Sequence, residues 1–236
     1  MGELALSRTV ISFDVVGSSA GDRHRQVHLD RTLDEVTKKA IDKVRDPQYP
    51  IAGAYRRTDG DSLTMVVDKN VAISWIISDF VLRELVIALG EANRRVKESY
   101  RLRVRVAIDH GETVLHEPHV AGDAVICAAR LRDAPPLREA MKDRTEADLG
   151  LIVSDRIYND VVVHGERGLM TTPFEAVQVS VKDFTDQGWI HLPVGQGSDG
   201  QARTPKAPSS PSETKMFQNI VGTVNASHSV IGIGWK

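Results

Sequence analysis

Two carboxylates stand where strand-like segments end or turn: Asp14 in Phe13-Asp14-Val15-Val16-Gly17-Ser18, and Asp61 in Thr58-Asp59-Gly60-Asp61-Ser62. Brought together by strand pairing, two such groups make a hard-oxygen site for a divalent cation and a triphosphate. That chemistry points to an enzyme rather than a binding scaffold. His24, His28, His116 and His119 are scattered without metal-ligand spacing, so a zinc site is not expected. Cys127 lies among apolar neighbours and reads as a packed thiol. His110 and Glu112 read as structural.

The elements that must position the carboxylates follow from periodicity. Residues 10–13 read as a buried strand running into the first acidic turn. Leu29, Leu33, Val36, Ala40 and Val44 recur at helical spacing until Pro47. Segments 51–57 and 63–67 read as two strands of a hairpin closed by the second acidic turn. A long, very apolar helix is expected over 71–97. Leu102, Val104, Val106 and Ile108 alternate with Arg103, Arg105 and Ala107, the period of a half-buried strand. A turn at His110-Gly111 should follow it. Gly122-Asp123 should open a short helix over 124–131. Residues 151–153 read as a last strand, with Ser154 capping a helix through Tyr158. The order strand-helix-strand-strand-helix-strand predicts an α+β domain of the ferredoxin-like, split βαβ type, βαββαβ.

Composition bounds the function. The chain has 236 residues, 41% hydrophobic and 26% charged, as in an ordinary globular protein. A net charge of −2 argues against a general nucleic-acid coat, and no run reaches the roughly 20 apolar residues of a membrane span. The first residues show neither a secretory signal nor, with Leu6 at the critical position, a myristoylation signal. With one cysteine, a reducing cytoplasm is the simplest expectation. The expected organisation is a domain over 1–194, a Gly/Pro/Ser linker over 195–215 and a β-prone, nearly uncharged tail over 216–236. Such a tail suits self-association or pairing with a partner.

Four segments resemble the class III nucleotidyl cyclase catalytic domain, over roughly residues 9–160. Ser12-Phe13-Asp14-Val15-Val16-Gly17-Ser18 matches that family's Phe-x-Asp-Ile-x-Gly-Phe/Ser turn, and Arg57-Thr58-Asp59-Gly60-Asp61 its Lys-x-x-Gly-Asp hairpin. Val106-Ala107-Ile108-Asp109-His110-Gly111 resembles its Gly-Ile-His-x-Gly strand end. Gly122-Asp123-Ala124-Val125-Ile126-Cys127-Ala128-Ala129-Arg130-Leu131 is close to Gly-Asp-x-Val-Asn-x-Ala-Ala-Arg-Leu. The resemblance implies that Asp14, Asp61 and the Val15 carbonyl hold two Mn²⁺ or Mg²⁺ ions. Asp59 rivals Asp61; Asp61 is preferred because 63–67 then falls on the family's apolar strand. Phe13, Val16, Gly17 and Ser18 would bind substrate, with backbone amides around 16–19 cradling phosphates. Arg130 would stabilise charge on the reacting phosphate. The resemblance also implies a homodimer with shared sites, Asp14 and Asp61 coming from one chain, Asp123 and Arg130 from the other.

Two positions depart from the family. Its purine-selecting Lys is Arg57, with Tyr55 two residues before it on the same strand face; its Asn is Ile126, which cannot bond a ribose. Tyr55, Arg57 and Asp123 are expected to line the base pocket, which suits a pyrimidine. In this the chain resembles the uridylate and cytidylate cyclases of the Pycsar anti-phage systems. That implies UTP, ahead of CTP, as substrate, cyclic UMP as product and a separate effector activated by it. The tail over 219–225 resembles short amyloid-forming motifs of bacterial immune proteins. The alternatives are an adenylate or guanylate cyclase, or a silent nucleotide-binding domain, which Ile126 favours. A diguanylate cyclase is set aside, since Gly60-Asp61-Ser62-Leu63 is not its turn.

Overall fold

A computed structural model describes residues 4–193 apart from positions 45, 47 and 182. Every residue from Thr9 to Val15 is buried in strand β1 (Leu6–Val15). A strand hidden on both faces belongs inside a sheet. β1 accordingly pairs antiparallel with β3 (Ser62–Asp68) on one edge and with β4 (Val104–His116) on the other. β2 (Tyr55–Asp59) pairs with β3, and β5 (His119–Ala121) with the end of β4. β6 (Leu149–Ser154) runs parallel to β4, and β8 (Phe184–His191) and β7 (Glu175–Val181) follow antiparallel. The order is β2-β3-β1-β4-β6-β8-β7 in an eight-stranded sheet that counts β5. Its β2-β3-β1-β4 part is the expected split βαβ core, and the fold is α+β.

Alternation sorts the strands' side chains between two helical layers. Ile11, Phe13, Leu63, Met65, Val104 and Val106 face one core with α1 (Arg23–Lys43) and the helical run Ile73 to Asn93. That run is α2 (Ile73–Trp75), a wide π-helical stretch Ile76–Leu85 and α3 (Val86–Asn93). On the opposite face, α4 (Asp123–Arg132) and α5 (Pro135–Asp143) bring Leu131, Leu137 and Met141 onto Ala107, Ile152 and Ile190. Ala124 and Ala128 of α4 pack on Val10. Ser154 caps α6 (Asp155–Asp160), accepting from the Ile157 amide at 3.2 Å.

The structure corrects four expectations. Residues 51–53 form a 3₁₀ turn (Ile51–Gly53), so β2 begins only at Tyr55. The long helix starts at Ile73 and stops at Asn93, whose side chain takes the backbone N–H of Leu102 at 2.8 Å. β4 does not turn at His110-Gly111; it continues to His116 because β1 pairs with it as far as Thr113. α5, β7 and β8, which periodicity did not suggest, extend the domain beyond the six-element core. No described helix is long and apolar enough to cross a membrane. The linker and tail expectations lie outside the described residues.

Candidate active site

Strand register sets out one face of the sheet in rows. Antiparallel partners point the same way, so Asp59, Ser62, Asp14 and Arg105 form one row. Arg57, Thr64, Ser12 and Ala107 form the next, and Tyr55, Val66, Val10 and Asp109 the third. Successive rows lie roughly 7 Å apart. One face therefore carries Asp14 on β1 and, two strands away on β2, Arg57 one row and Tyr55 two rows further along. This is the face that α4 partly covers.

Asp61 lies in the β2–β3 turn, at the level of the first row. Gly60, at φ +61, makes the turn, and Asp61 immediately precedes Ser62, the register partner of Asp14. The Val15 N–H donates to the Asp61 carbonyl at 3.1 Å. The Ser18 hydroxyl donates to the Asp61 carboxylate. Asp59, exposed at the edge of the same row, has its main-chain carbonyl accepting from Ser62 Oγ at 2.9 Å. Burial, and then the Asp61 charge, raise the pKa of Asp30 on α1. Asp14 is 8% exposed and takes a forked ion pair from Arg105, whose Nε donates at 3.1 Å and whose Nη2 also donates.

The loop between β1 and α1 follows at once. Gly17 takes φ +67, which reverses the chain, and the Ala20 N–H closes the turn on the Gly17 carbonyl at 3.1 Å. Val16 is tied to the sheet, its N–H donating to the Arg103 carbonyl at 2.8 Å. Asp22 caps α1 by accepting from the Arg25 N–H at 2.8 Å. The Arg25 guanidinium donates to the carbonyls of Gly17 at 2.8 Å, Ala20 and, at 2.6 Å, Ser99. Those bonds hold the loop just ahead of a helix N-terminus, the usual place for a phosphate.

The remaining expected residues fall elsewhere. Phe13 is fully buried against α1's core, so its side chain cannot meet a substrate; only its backbone reaches the site end of β1. Tyr55 is half-buried, its hydroxyl donating to the Pro118 carbonyl at 2.6 Å. Arg57 is exposed. Asp123 opens α4, and Arg130 lies over the Phe184 ring, its guanidinium carbon 5.4 Å from the centroid. Asp123, Ile126 and Arg130 share one helical face, with Ile126 49% exposed. No described hydrogen bond or ion pair links Asp123 or Arg130 to Asp14 or Asp61.

His110 lies within β4 rather than in a turn, with Nε2 2.9 Å from Ser7 Oγ and Nδ1 3.2 Å from Thr9 Oγ1. Burial lowers its pKa. Burial, with Asp109 beside it, pushes the Cys127 thiol well up, as befits a packed side chain. Asp109 itself is fully buried, held by Ser154 Oγ at 2.6 Å and by Arg156 at 3.0 Å. Sequence reading missed Arg105 and Arg25. Arg105's place in the Asp14 row was available only through register, since the pair is 91 residues apart.

The donors fit a divalent cation. Asp14, Asp61 and a main-chain carbonyl are hard oxygens, and no group of three or more metal-ligating side chains occurs among the described residues. Two carboxylates without a full cage suit Mg²⁺ or Mn²⁺, which complete their shells with water and substrate phosphates.

No family model matches the chain, and no curated protein does. Solved structures do. An adenylate/guanylate cyclase/hydrolase from Silicibacter pomeroyi superposes with a TM-score of 0.58 at 19% identity, over 81% of this chain and 99% of its own. The guanylyl cyclase Cya2 matches at 0.55 and 16% identity, over 84% and 98%. The catalytic core of a rhodopsin-guanylyl cyclase of converted specificity, in complex with ATPαS, matches at 0.54 and 16%, over 81% and 98%. The chain thus has the fold of nucleotidyl cyclase catalytic domains.

Proposed function

We propose that this chain is a nucleotidyl cyclase that converts a pyrimidine nucleoside triphosphate, UTP ahead of CTP, into its 3′,5′-cyclic monophosphate and diphosphate. The observation that carries the reading is the shared sheet face of Asp14, Arg57 and Tyr55, with Asp61 tied to the end of β1. The ribose 3′-oxygen attacks the α-phosphorus, the bond to the bridging β-phosphate oxygen breaks, and diphosphate leaves. Divalent ions bound at Asp14, Asp61 and the Val15 carbonyl would acidify the 3′-hydroxyl and offset phosphate charge. The loop from Val16 to Ser18, braced by Arg25, cradles the phosphates. Arg57 bonds a pyrimidine carbonyl, and Tyr55 covers the smaller ring.

Asp123 and Arg130 complete the site from a second copy of the chain: Arg130 meets the charge developing on the phosphate and Asp123 the base. The product would signal to a separate effector in anti-phage defence, with the tail as a self-association element.

Adenylate or guanylate cyclase activity is the second reading, favoured by the solved neighbours, which are named for adenylyl or guanylyl substrates. A silent nucleotide-binding domain is the third, favoured by Ile126 on the α4 face. One assay separates all three: purified full chain with Mn²⁺ and each of the four ribonucleoside triphosphates, products identified by mass spectrometry. Cyclic UMP or CMP supports the proposal; cyclic AMP or GMP supports the second reading. Binding without any cyclic product supports the third.

A further inference from the structure

We propose that Arg105 is a positioning residue that latches the Asp14 carboxylate in the resting site, so that metal loads well only together with nucleotide. This rests on the cyclase reading and adds an order of events to it. The Arg105 fork engages one carboxylate oxygen through both Nε, at 3.1 Å, and Nη2. The two side chains are 13% and 12% exposed, so water screens the pair little. A carboxylate so held carries a compensated charge and attracts a cation less.

The rest of the row leaves Arg105 no other use. Its neighbour on β6 is Gly150, which has no side chain to offer. Any side chain there would press on Met141 Sδ, 2.6 Å from where its Cβ would stand. Arg103, the next cation on this face, is spent on the carbonyls of Met141, Arg144 and Ala147. Asp61, by contrast, is held by the neutral hydroxyl of Ser18. One carboxylate of the pair is latched and the other is not.

A triphosphate resolves this. It offers the guanidinium new anionic oxygens of the same hydrogen-bonding kind, so the fork moves from carboxylate to phosphate at little net cost. The freed Asp14 then takes the cation that arrives with the nucleotide. Metal and nucleotide binding are coupled through Arg105, and the coupling is reciprocal.

The test follows free Mn²⁺ by its paramagnetic resonance signal, on full chain, with and without unreactive α,β-methylene UTP or ATP. Wild type should take up Mn²⁺ weakly alone and roughly tenfold more tightly with the accepted analogue, and Asp14→Asn should do neither. Arg105→Gln should bind Mn²⁺ alone about tenfold more tightly than wild type, and gain less from the analogue. Arg105→Lys keeps the charge, loses the fork and should fall between; it also serves if the Gln variant fails to fold. Unchanged nucleotide-free Mn²⁺ affinity in the folded variants, with Asp14-dependent uptake intact, would overturn the latch and leave the cyclase reading standing. No Asp14-dependent uptake by any chain under any condition would remove both.

Discussion

The Val15 N–H donates to the Asp61 carbonyl at 3.1 Å, so main chain alone joins the β2–β3 turn to the end of β1. The tie between the two segments does not use the Asp61 carboxylate, which takes only the Ser18 hydroxyl, whereas Asp14 is engaged by Arg105. Structure and activity should therefore separate cleanly at position 61.

Asp61→Ala removes a half-buried carboxylate and its bond from Ser18, and leaves the main-chain tie in place. Stability should fall by no more than about 1.5–3 kcal/mol, the net worth of a hydrogen bond to a charged group. Cyclic nucleotide production should drop by roughly a hundredfold or more, because the proposed metal ligand is lost. Thermal melting alongside product mass spectrometry reads both. A folded variant with normal turnover would return the ligand role to Asp59.

The proposed base pocket makes its own forecast. Arg57 is exposed and contributes nothing visible to the fold, so Arg57→Lys should leave the melting temperature unchanged. Its kcat/KM for UTP should fall by about tenfold if the guanidinium bonds the base in two places. Tyr55→Phe loses the bond to the Pro118 carbonyl, and the ring's position with it. UTP-over-ATP discrimination should narrow in both variants. Equal turnover by Arg57→Lys would speak for an adenylate or guanylate cyclase.

Much of this was legible in the sequence, and the failures have physical causes. The acidic turns, the β2–β3 hairpin and α4 each carry a local signal: a carboxylate after an apolar run, a glycine at positive φ, a helix opened at Gly122-Asp123. β7 carries almost none, since only Val179 is buried in it. β8 has Gly188 at its centre, required because Ile152 Cδ1 lies 2.9 Å from where a Cβ would stand, and that glycine breaks its alternation. α5 opens with two prolines and buries only Leu137 and Met141. Arg105 looked like the solvent-facing member of an alternating strand. Only the β1–β4 register, set across the whole length of β1, turns it toward Asp14.

Gly122 is a strict test of how α4 is mounted. It takes φ +141, and a Cβ there would stand 2.3 Å from the Glu112 carbonyl oxygen. Backbone cannot step aside as a side chain can, so Gly122→Ala should cost roughly 2–4 kcal/mol. Urea unfolding measures this. Gly17→Ala, with open space around its Cβ, should cost less, as only the φ of +67 opposes it.

Acid should loosen the α1-side layer through Asp79, which is 5% exposed within the π-helical stretch. Burial acts to raise its pKa, but hydrogen bonds and charge from Arg167 and Arg83 outweigh it and hold the value below normal. A folded pKa below the unfolded one means that the contribution is full above about pH 4. It is lost as pH falls through the folded value. Urea midpoints measured from pH 7 down to 3 should fall more steeply in wild type than in Asp79→Asn. Parallel curves would show that Asp79 contributes nothing pH-dependent.

Under the proposed reading, Ile126 stands where a polar side chain would contact the ribose. It is 49% exposed on the α4 face that also carries Asp123 and Arg130, so a polar residue fits there without disturbing the core. An exposed isoleucine contributes little to folding, and Ile126→Asn should change stability by less than about 0.5 kcal/mol. Its amide would supply the ribose contact that isoleucine cannot make. If ribose orientation limits the reaction, kcat should rise several-fold with KM nearly unchanged, since the gain is made in the transition state. A fall in kcat would mean that the isoleucine packs on the nucleotide, and that this site orients its ribose through another residue.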